Sequence, residues 1–345
     1  MKAAPAISSD LPRVLRVETG YNPSEGWLDD MFVNMLDYHI CANEPRAWRM
    51  LEKTTRLDFY LAWRAKQIAA DYDMIFAGSD KVALPLTWLG MPKPMVVVLH
   101  YPQSPARAPI LRAMRVAKHW TAMGYVTTAD KNFYIHTLGM RPDRVFAVHR
   151  MPLNNFVSTP TQIDGPILSL GVAKRDYVTL VAALEQLPGY ETEIFANSRY
   201  GDLLKTRLEQ NKVPEWVHFH EPLSNEDVLT RYQHARFVVV PLVETKHASA
   251  GLSVILEASA SGKAVIATCT PGTPDYVRDG ETGILVPPHD VQAMREALET
   301  LYRNPELAEQ MGRRGREFVE STYESGLVTQ NIRRMLVEIH KTTRA

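Results

Sequence analysis

Cysteine is nearly absent from this chain: Cys41 and Cys269 are the only two in 345 residues. Two thiols cannot build a disulfide framework or a thiolate zinc site, and both are expected to be buried free thiols in a reducing compartment. Long apolar runs are missing as well. Met95–Leu99 is typical of the longest, far short of the ~20 residues a membrane-spanning helix needs. The opening Met1-Lys2-Ala3-Ala4-Pro5 is not followed by the apolar stretch of an export signal, so a cytoplasmic chain is expected. Neither charge sign is in excess, with 39 Lys+Arg against 39 Asp+Glu, which argues against a nucleic-acid footprint over the whole molecule. Gly20 and Gly26 do not form a Gly-x-Gly-x-x-Gly fingerprint, which disfavours a nicotinamide dehydrogenase.

What is present is an ordinary globular composition, 45% hydrophobic and 23% charged, in a chain too long for one core. Two domains are expected. Residues 1–160 hold 19 Lys+Arg and 14 Asp+Glu, and the remainder holds 20 and 25, so the halves carry opposite net charge. The polar, aperiodic stretch 157–165 between them reads as a linker. The expected division is 1–156, linker 157–165, 166–325, and a closing helix 326–345 that packs back toward the N-terminal domain.

In the second half, short apolar runs at Pro166–Gly171, Thr192–Ala196, Val217–His220, Phe237–Leu242, Ala264–Cys269 and Gly283–Pro287 alternate with helical patterns. Runs this apolar, joined through helices, belong to parallel strands covered on both faces. The first half repeats the theme at Val14–Val17, Met74–Ala77, Met95–Leu99, Tyr125–Thr128 and Val145–Val148. From Pro305 to about Thr343 the pattern is helical. The fold class expected is α/β, two doubly wound lobes facing one another.

Ligands of doubly wound sheets sit beyond the C-terminal strand ends, which directs attention to the loop after Phe237–Leu242. There Ser249, Ala250, Gly251 and Leu252 open an apolar helix whose first N–H groups could meet an anion. Glu257 lies in its second turn between Leu256 and Ala258, where a carboxylate needs a partner. A ribose diol and a neighbouring arginine are equally good candidates. Beyond the first strand of this half, Gly171 is followed by the adjacent cations Lys174 and Arg175, suited to a diphosphate.

The run Gly251-Leu-Ser-Val-Ile-Leu-Glu-Ala-Ser-Ala-Ser-Gly-Lys-Ala-Val-Ile-Ala-Thr268, then Pro271-Gly-Thr-Pro-Asp-Tyr-Val-Arg-Asp-Gly-Glu-Thr-Gly-Ile-Leu-Val-Pro-Pro288 and Asn304-Pro-Glu-Leu-Ala-Glu-Gln-Met-Gly-Arg-Arg-Gly315, resembles the C-terminal signature of glycosyltransferase family 4. The resemblance covers roughly residues 160–325. It implies a GT-B fold of two Rossmann-like lobes across a cleft, the second binding a nucleotide sugar and the first the acceptor. It also implies transfer with retention, with Glu257 on the nucleotide ribose. His100, which closes Met95–Leu99, matches a histidine that lines the sugar pocket. The chain departs from the family at Ser249, where a second Glu contacts the sugar, and after Gly171, where the family has an Arg. No metal cofactor is expected, since Asp71 and Asp73 precede their strand where a site needs them to follow, and His218 with His220 lack further ligands.

The remaining readings are a nucleotide-sugar epimerase of the same architecture and a two-lobed sugar-binding protein. The expected partners are a nucleotide-sugar donor and a hydroxyl acceptor, with a lipid-linked acceptor among the candidates. From Lys81 through Ala129 there is no Asp or Glu, while Lys81, Lys93, Arg107, Arg112, Arg115 and Lys118 supply cations. Ala108–Trp120 reads as one helix with Arg112, Arg115 and Lys118 in a stripe beside Trp120, a pattern for peripheral contact with an anionic membrane through residues 107–120.

Overall fold

The computed structural model describes residues 12–18, 32–37, 45–99, 107–149, 153–171, 173–196, 213–221, 223–245 and 248–344. The chain forms two compact units, 1–149 with 326–345, and 150–325.

In the first unit, strands β1 (Val14–Glu18), β2 (Phe32–Asp37), β3 (Met74–Ala77), β4 (Met95–Val98), β5 (Ala122–Tyr125) and β6 (Val145–Ala147) form a parallel sheet in the order β2-β1-β3-β4-β5-β6. Its helices are α1 (Arg46–Thr55), α2 (Phe59–Ile68), α3 (Asp80–Trp88), α4 (Ala108–Ala113) and α5 (Thr128–Asn132). Alternate residues of each strand serve opposite faces, because side chains alternate across the pleat. Ile75, Ala77, Met95 and Val97 pack with Leu61, Ala62 and Leu86 of α2 and α3.

The other face is formed by Met74, Phe76, Val96 and Val98. It is covered from the far end of the chain, by Val328, Ile332, Leu336 and Ile339 of the closing helix, whose spacings of four, four and three make one helical stripe.

The second unit holds β7 (Ile167–Leu170), β8 (Thr192–Phe195), β9 (Val217–His220), β10 (Phe237–Val240), β11 (Val265–Thr268) and β12 (Gly283–Val286), parallel in the order β12-β11-β10-β7-β8-β9. Between and after them lie α6 (Tyr177–Leu184), α7 (Asn225–His234), α8 (Leu252–Ala260), α9 (Val291–Arg303) and α10 (Pro305–Thr322). The closing helix, α11 (Ser325–Arg344), carries the chain back to the first unit.

Three expectations change. The division falls near 149/150, and 157–165 is fastened to the second unit, not strung between units: Thr159 N–H donates to Ser261 O at 3.1 Å, and the buried Lys263 ammonium donates to Pro160 O at 2.6 Å and Gln233 O at 3.2 Å. The strand expected at Tyr125–Thr128 lies at Ala122–Tyr125, because Thr127 instead caps α5, its hydroxyl accepting from Asp130 N–H. Strand β2 was not expected at all.

Replacing Leu336 with Ala should cost about 2–5 kcal/mol, the range for a buried leucine. Hydrogen exchange should quicken in peptides from β3 and β4 and stay unchanged in peptides from β10 and β11.

Candidate functional site

The order of the second sheet makes β7 and β10 the place where successive connections leave in opposite directions, the position at which such sheets open a crevice. The base of the crevice is stitched by backbone. Arg175 bridges Leu242, Asp176 N–H donates to Pro241 O at 3.0 Å, and Val243 N–H donates to Lys174 O at 3.1 Å. Leu242 N–H also donates to the Thr268 hydroxyl at 2.9 Å, tying in the end of β11.

Gly171, at the end of β7, has φ 110°, and a Cβ there would run into the Arg175 guanidinium. The vacated volume lets Arg175 fold back over the strand end, its Nε donating to Leu170 O at 3.0 Å and its NH1 nitrogen to Ala173 O at 2.9 Å. Lys174 is exposed with φ 60°. Thus the adjacent cations take opposite positions, Arg175 buried in the loop floor and Lys174 at the surface. Val172 lies outside the described residues.

Across the crevice, Ala248, Ser249 and Ala250 lead in a turn to Gly251, which starts α8 with φ 78° and without a side-chain cap. A Cβ on Gly251 would stand 2.9 Å from Val240 Cγ1, so a glycine lets the helix start close above β10. The first-turn N–H groups of any helix lack intrahelical partners, and the N-cap residue here has no side chain to take them. Leu252 is buried beneath them.

Glu257 faces Tyr232 of α7, whose hydroxyl donates to Oε2 at 2.8 Å. Tyr232 is fully buried. Burial pushes the Glu257 carboxyl above its ordinary range, against the Tyr232 hydrogen bond and the Arg175 charge, which pull it down. Burial and the adjacent carboxylate likewise hold the Tyr232 hydroxyl well above its usual value. Both partners considered for Glu257 thus have a counterpart: an arginine charge is near, yet the direct hydrogen bond is a neutral hydroxyl. Among the described residues, Oε1 has no hydrogen-bond partner.

Nearby, Asp176 caps α6 by accepting from Thr179 N–H at 3.1 Å and from its hydroxyl at 2.7 Å, and lies 2.8 Å from His289 Nδ1. Sequence reasoning found neither this pair nor Tyr232. Separations of 113 and 25 residues leave no local pattern to find.

His100 lies outside the described residues, as does Cys41. Cys269, expected to be buried, is exposed: it stands just past β11, its N–H donating to Val286 O at 2.7 Å where the chain leaves the sheet. Asp73 accepts from Arg13 N–H at 2.8 Å in the turn before β3, His218 pairs with Glu191 at 3.1 Å, and the His220 ring stacks on Phe195. Among the described residues no group of three or more His, Cys, Asp and Glu is arranged to hold a metal ion, and no helix is long and apolar enough to cross a membrane.

Residues 173–318, which include most of this crevice, match the family model of glycosyl transferases group 1. The matched residues all lie in the second unit. D-inositol 3-phosphate glycosyltransferase of Corynebacterium diphtheriae is 42% identical over 96 residues, 28% of this chain and 22% of that protein. The lipopolysaccharide core biosynthesis glycosyltransferase LpsE of Rhizobium meliloti is 28% identical over 189 residues, 54% of this chain and 52% of that one. The matched region therefore spans about a fifth of the first relative's length and half of the second's. Among solved structures, Anabaena HepE in complex with UDP-glucose superposes with TM-score 0.73 at 16% identity, covering 95% of this chain and 100% of that one. Sucrose-phosphate synthase from Thermosynechococcus elongatus gives 0.70 at 20% identity, covering 86% and 80%. The fold is GT-B.

Because the folded carboxyl of Glu257 titrates above its unfolded value, its contribution to stability is fully present below about pH 4.5 and is lost as pH rises through the folded value. Glu257→Gln should therefore gain stability relative to the parent chain as pH is raised from about 4 to 7. Paired urea titrations across that range would read the divergence, and parallel curves would contradict it.

Proposed function

We propose that the chain is a retaining glycosyltransferase of family 4 that moves a hexose-like sugar from a nucleoside diphosphate to a hydroxyl acceptor. The observation that carries this reading is Glu257, held by Tyr232 at the crevice between β7 and β10 with Oε1 unengaged among the described residues. A carboxylate so fixed accepts hydrogen bonds from a ribose diol without first losing rotational freedom.

In this reading the N–H groups at the start of α8, near Ser249, Ala250, Gly251 and Leu252, receive the diphosphate. Lys174, exposed on the opposite loop, adds a mobile cation, while Arg175 contributes its field from the loop floor. Negative charge grows on the departing phosphate as the glycosidic bond stretches, and these groups stabilise it without a metal. The phosphate oxygen that leaves the anomeric carbon takes the proton of the acceptor hydroxyl as the new bond forms on the same face. His100 is assigned to the sugar end of the donor. A lipid-linked glycan is the acceptor class favoured here, in keeping with lipopolysaccharide core biosynthesis in the name of LpsE.

Charge-assisted hydrogen bonds of about 1.5–3 kcal/mol each imply that Glu257→Ala weakens nucleoside diphosphate binding about 100-fold in a chain that stays folded. Calorimetry with UDP, GDP and ADP tests this, and unchanged affinity would make Glu257 structural only. Turnover should survive a chelator and fall in Lys174→Ala. Mass spectrometry of products from a nucleotide-sugar panel, with and without lipid-linked acceptor, completes the test. Conversion of donor alone would replace transfer by epimerisation, and binding without conversion would leave a sugar-binding protein.

A further inference from the structure

The basic stripe expected along 107–120 does not exist as a stripe. Helix α4 stops at Ala113, Arg115 takes φ 47°, and a 3-10 turn follows at Val116–Lys118, so Arg112, Arg115 and Lys118 do not share a helical face. Trp120 is buried, its indole N–H donating to the Thr87 hydroxyl at 2.8 Å, and Arg107 pairs with Asp80 at 2.9 Å.

Ile110 of α4 is 45% exposed, but a broader exposed apolar surface lies elsewhere in the first unit. No residue of α1 is buried. At 100° per residue, Trp48, Leu51, Ala47 and Met50 occupy one arc of this helix, and Arg49, Lys53 and Arg46 occupy the arc beyond it. Met50 is 70% exposed and Leu51 39%. The Trp48 ring stands 6.0 Å from Tyr60 and 6.4 Å from Trp63 on α2, joining the two helices through aromatic rings. Trp63 is itself 37% exposed, and Trp88, at the end of α3, is 52% exposed while stacked on Phe59 of α2 at 5.7 Å. Exposed Trp, Met and Leu on adjoining helices form a patch of the kind that marks an interaction surface.

Charge identifies the occupant. From Arg46 to Lys66 there are six cations, and the two acids are Glu52 and the buried Asp58, which is committed to capping α2. A second copy of this chain would set cations against cations in a two-fold contact. An anionic bilayer surface satisfies both features together, since Trp and Leu enter the headgroup boundary while Arg and Lys meet lipid phosphates. We propose that α1, α2 and the Trp88 end of α3 form a seat for an anionic lipid bilayer. The seat rests on the first unit alone and stands whether or not the transfer reading holds, because its test measures binding and not turnover.

The full chain should co-sediment with vesicles containing phosphatidylglycerol at least ~10-fold more strongly than with phosphatidylcholine vesicles, with the difference shrinking as salt rises. Brominated lipid should quench tryptophan emission. Met50→Ser with Leu51→Ser should abolish the quenching and weaken binding ~10-fold, and Arg46→Glu with Lys53→Glu should remove the preference for anionic lipid. All four positions are exposed, so matched thermal melts are expected. Negligible sedimentation with both vesicles, or binding untouched by either double substitution, would overturn the proposal. So would concentration-dependent dimerisation abolished by the same changes, which would assign the face to a second copy.

Discussion

A parallel sheet presents two apolar faces, and water must be kept from both. In the first unit the helices that connect the strands cover the face of Ile75 and Val97, and the face of Phe76 and Val98 is left to α11. Everything placed at the strand ends, including the start of α3 at Asp80 and the cap at Thr127, depends on a sheet stabilised by residues more than two hundred positions downstream. The second unit closes its own core on α6, α9 and α10, and the segment 157–165 is held down against it by the ammonium of Lys263.

The crevice of the second unit is economical in its use of side chains. Backbone hydrogen bonds between the loops after β7 and β10 fix its floor, and two glycines with positive φ set how closely the walls approach. Glu257 is then set against the buried Tyr232 hydroxyl, and burial raises its proton affinity. A ligand hydroxyl arriving there meets a charge that is poorly solvated, which strengthens the hydrogen bond it can offer.

Most strands were legible because strands covered on both faces are continuous apolar runs such as Phe237–Val240 and Val265–Thr268. Strand β2 escaped notice because Phe32-Val-Asn-Met-Leu-Asp37 is interrupted by Asn34 and ends on Asp37. Strand β5 was displaced by three residues, because Tyr-Val-Thr-Thr favours extended structure more than Ala-Met-Gly does, yet Thr127 was needed as a cap. In the crevice, Gly171 and Gly251 stood out as glycines at a strand end and a helix start, and Glu257 as a carboxylate between apolar neighbours, while the roles given to them came from the family resemblance. The different fates of Lys174 and Arg175 did not, since they depend on the left-handed turn at Lys174 and on the space above Gly171. The continuous helix expected over 108–120 failed at Arg115, a residue whose side chain gives no warning of positive φ.

The position of α11 in the chain has a consequence for synthesis. Residues 150–325 are complete as a unit before the ribosome has made residues 326–344, whereas the first unit is not. One face of its sheet, with Met74, Phe76, Val96 and Val98, waits for Val328, Ile332, Leu336 and Ile339 to emerge. The first unit therefore cannot close its core until residues 326–344 have been made, unlike an N-terminal domain that folds from its own segment alone. Until α11 docks, that sheet face is left uncovered by the residues that pack on it in the folded unit.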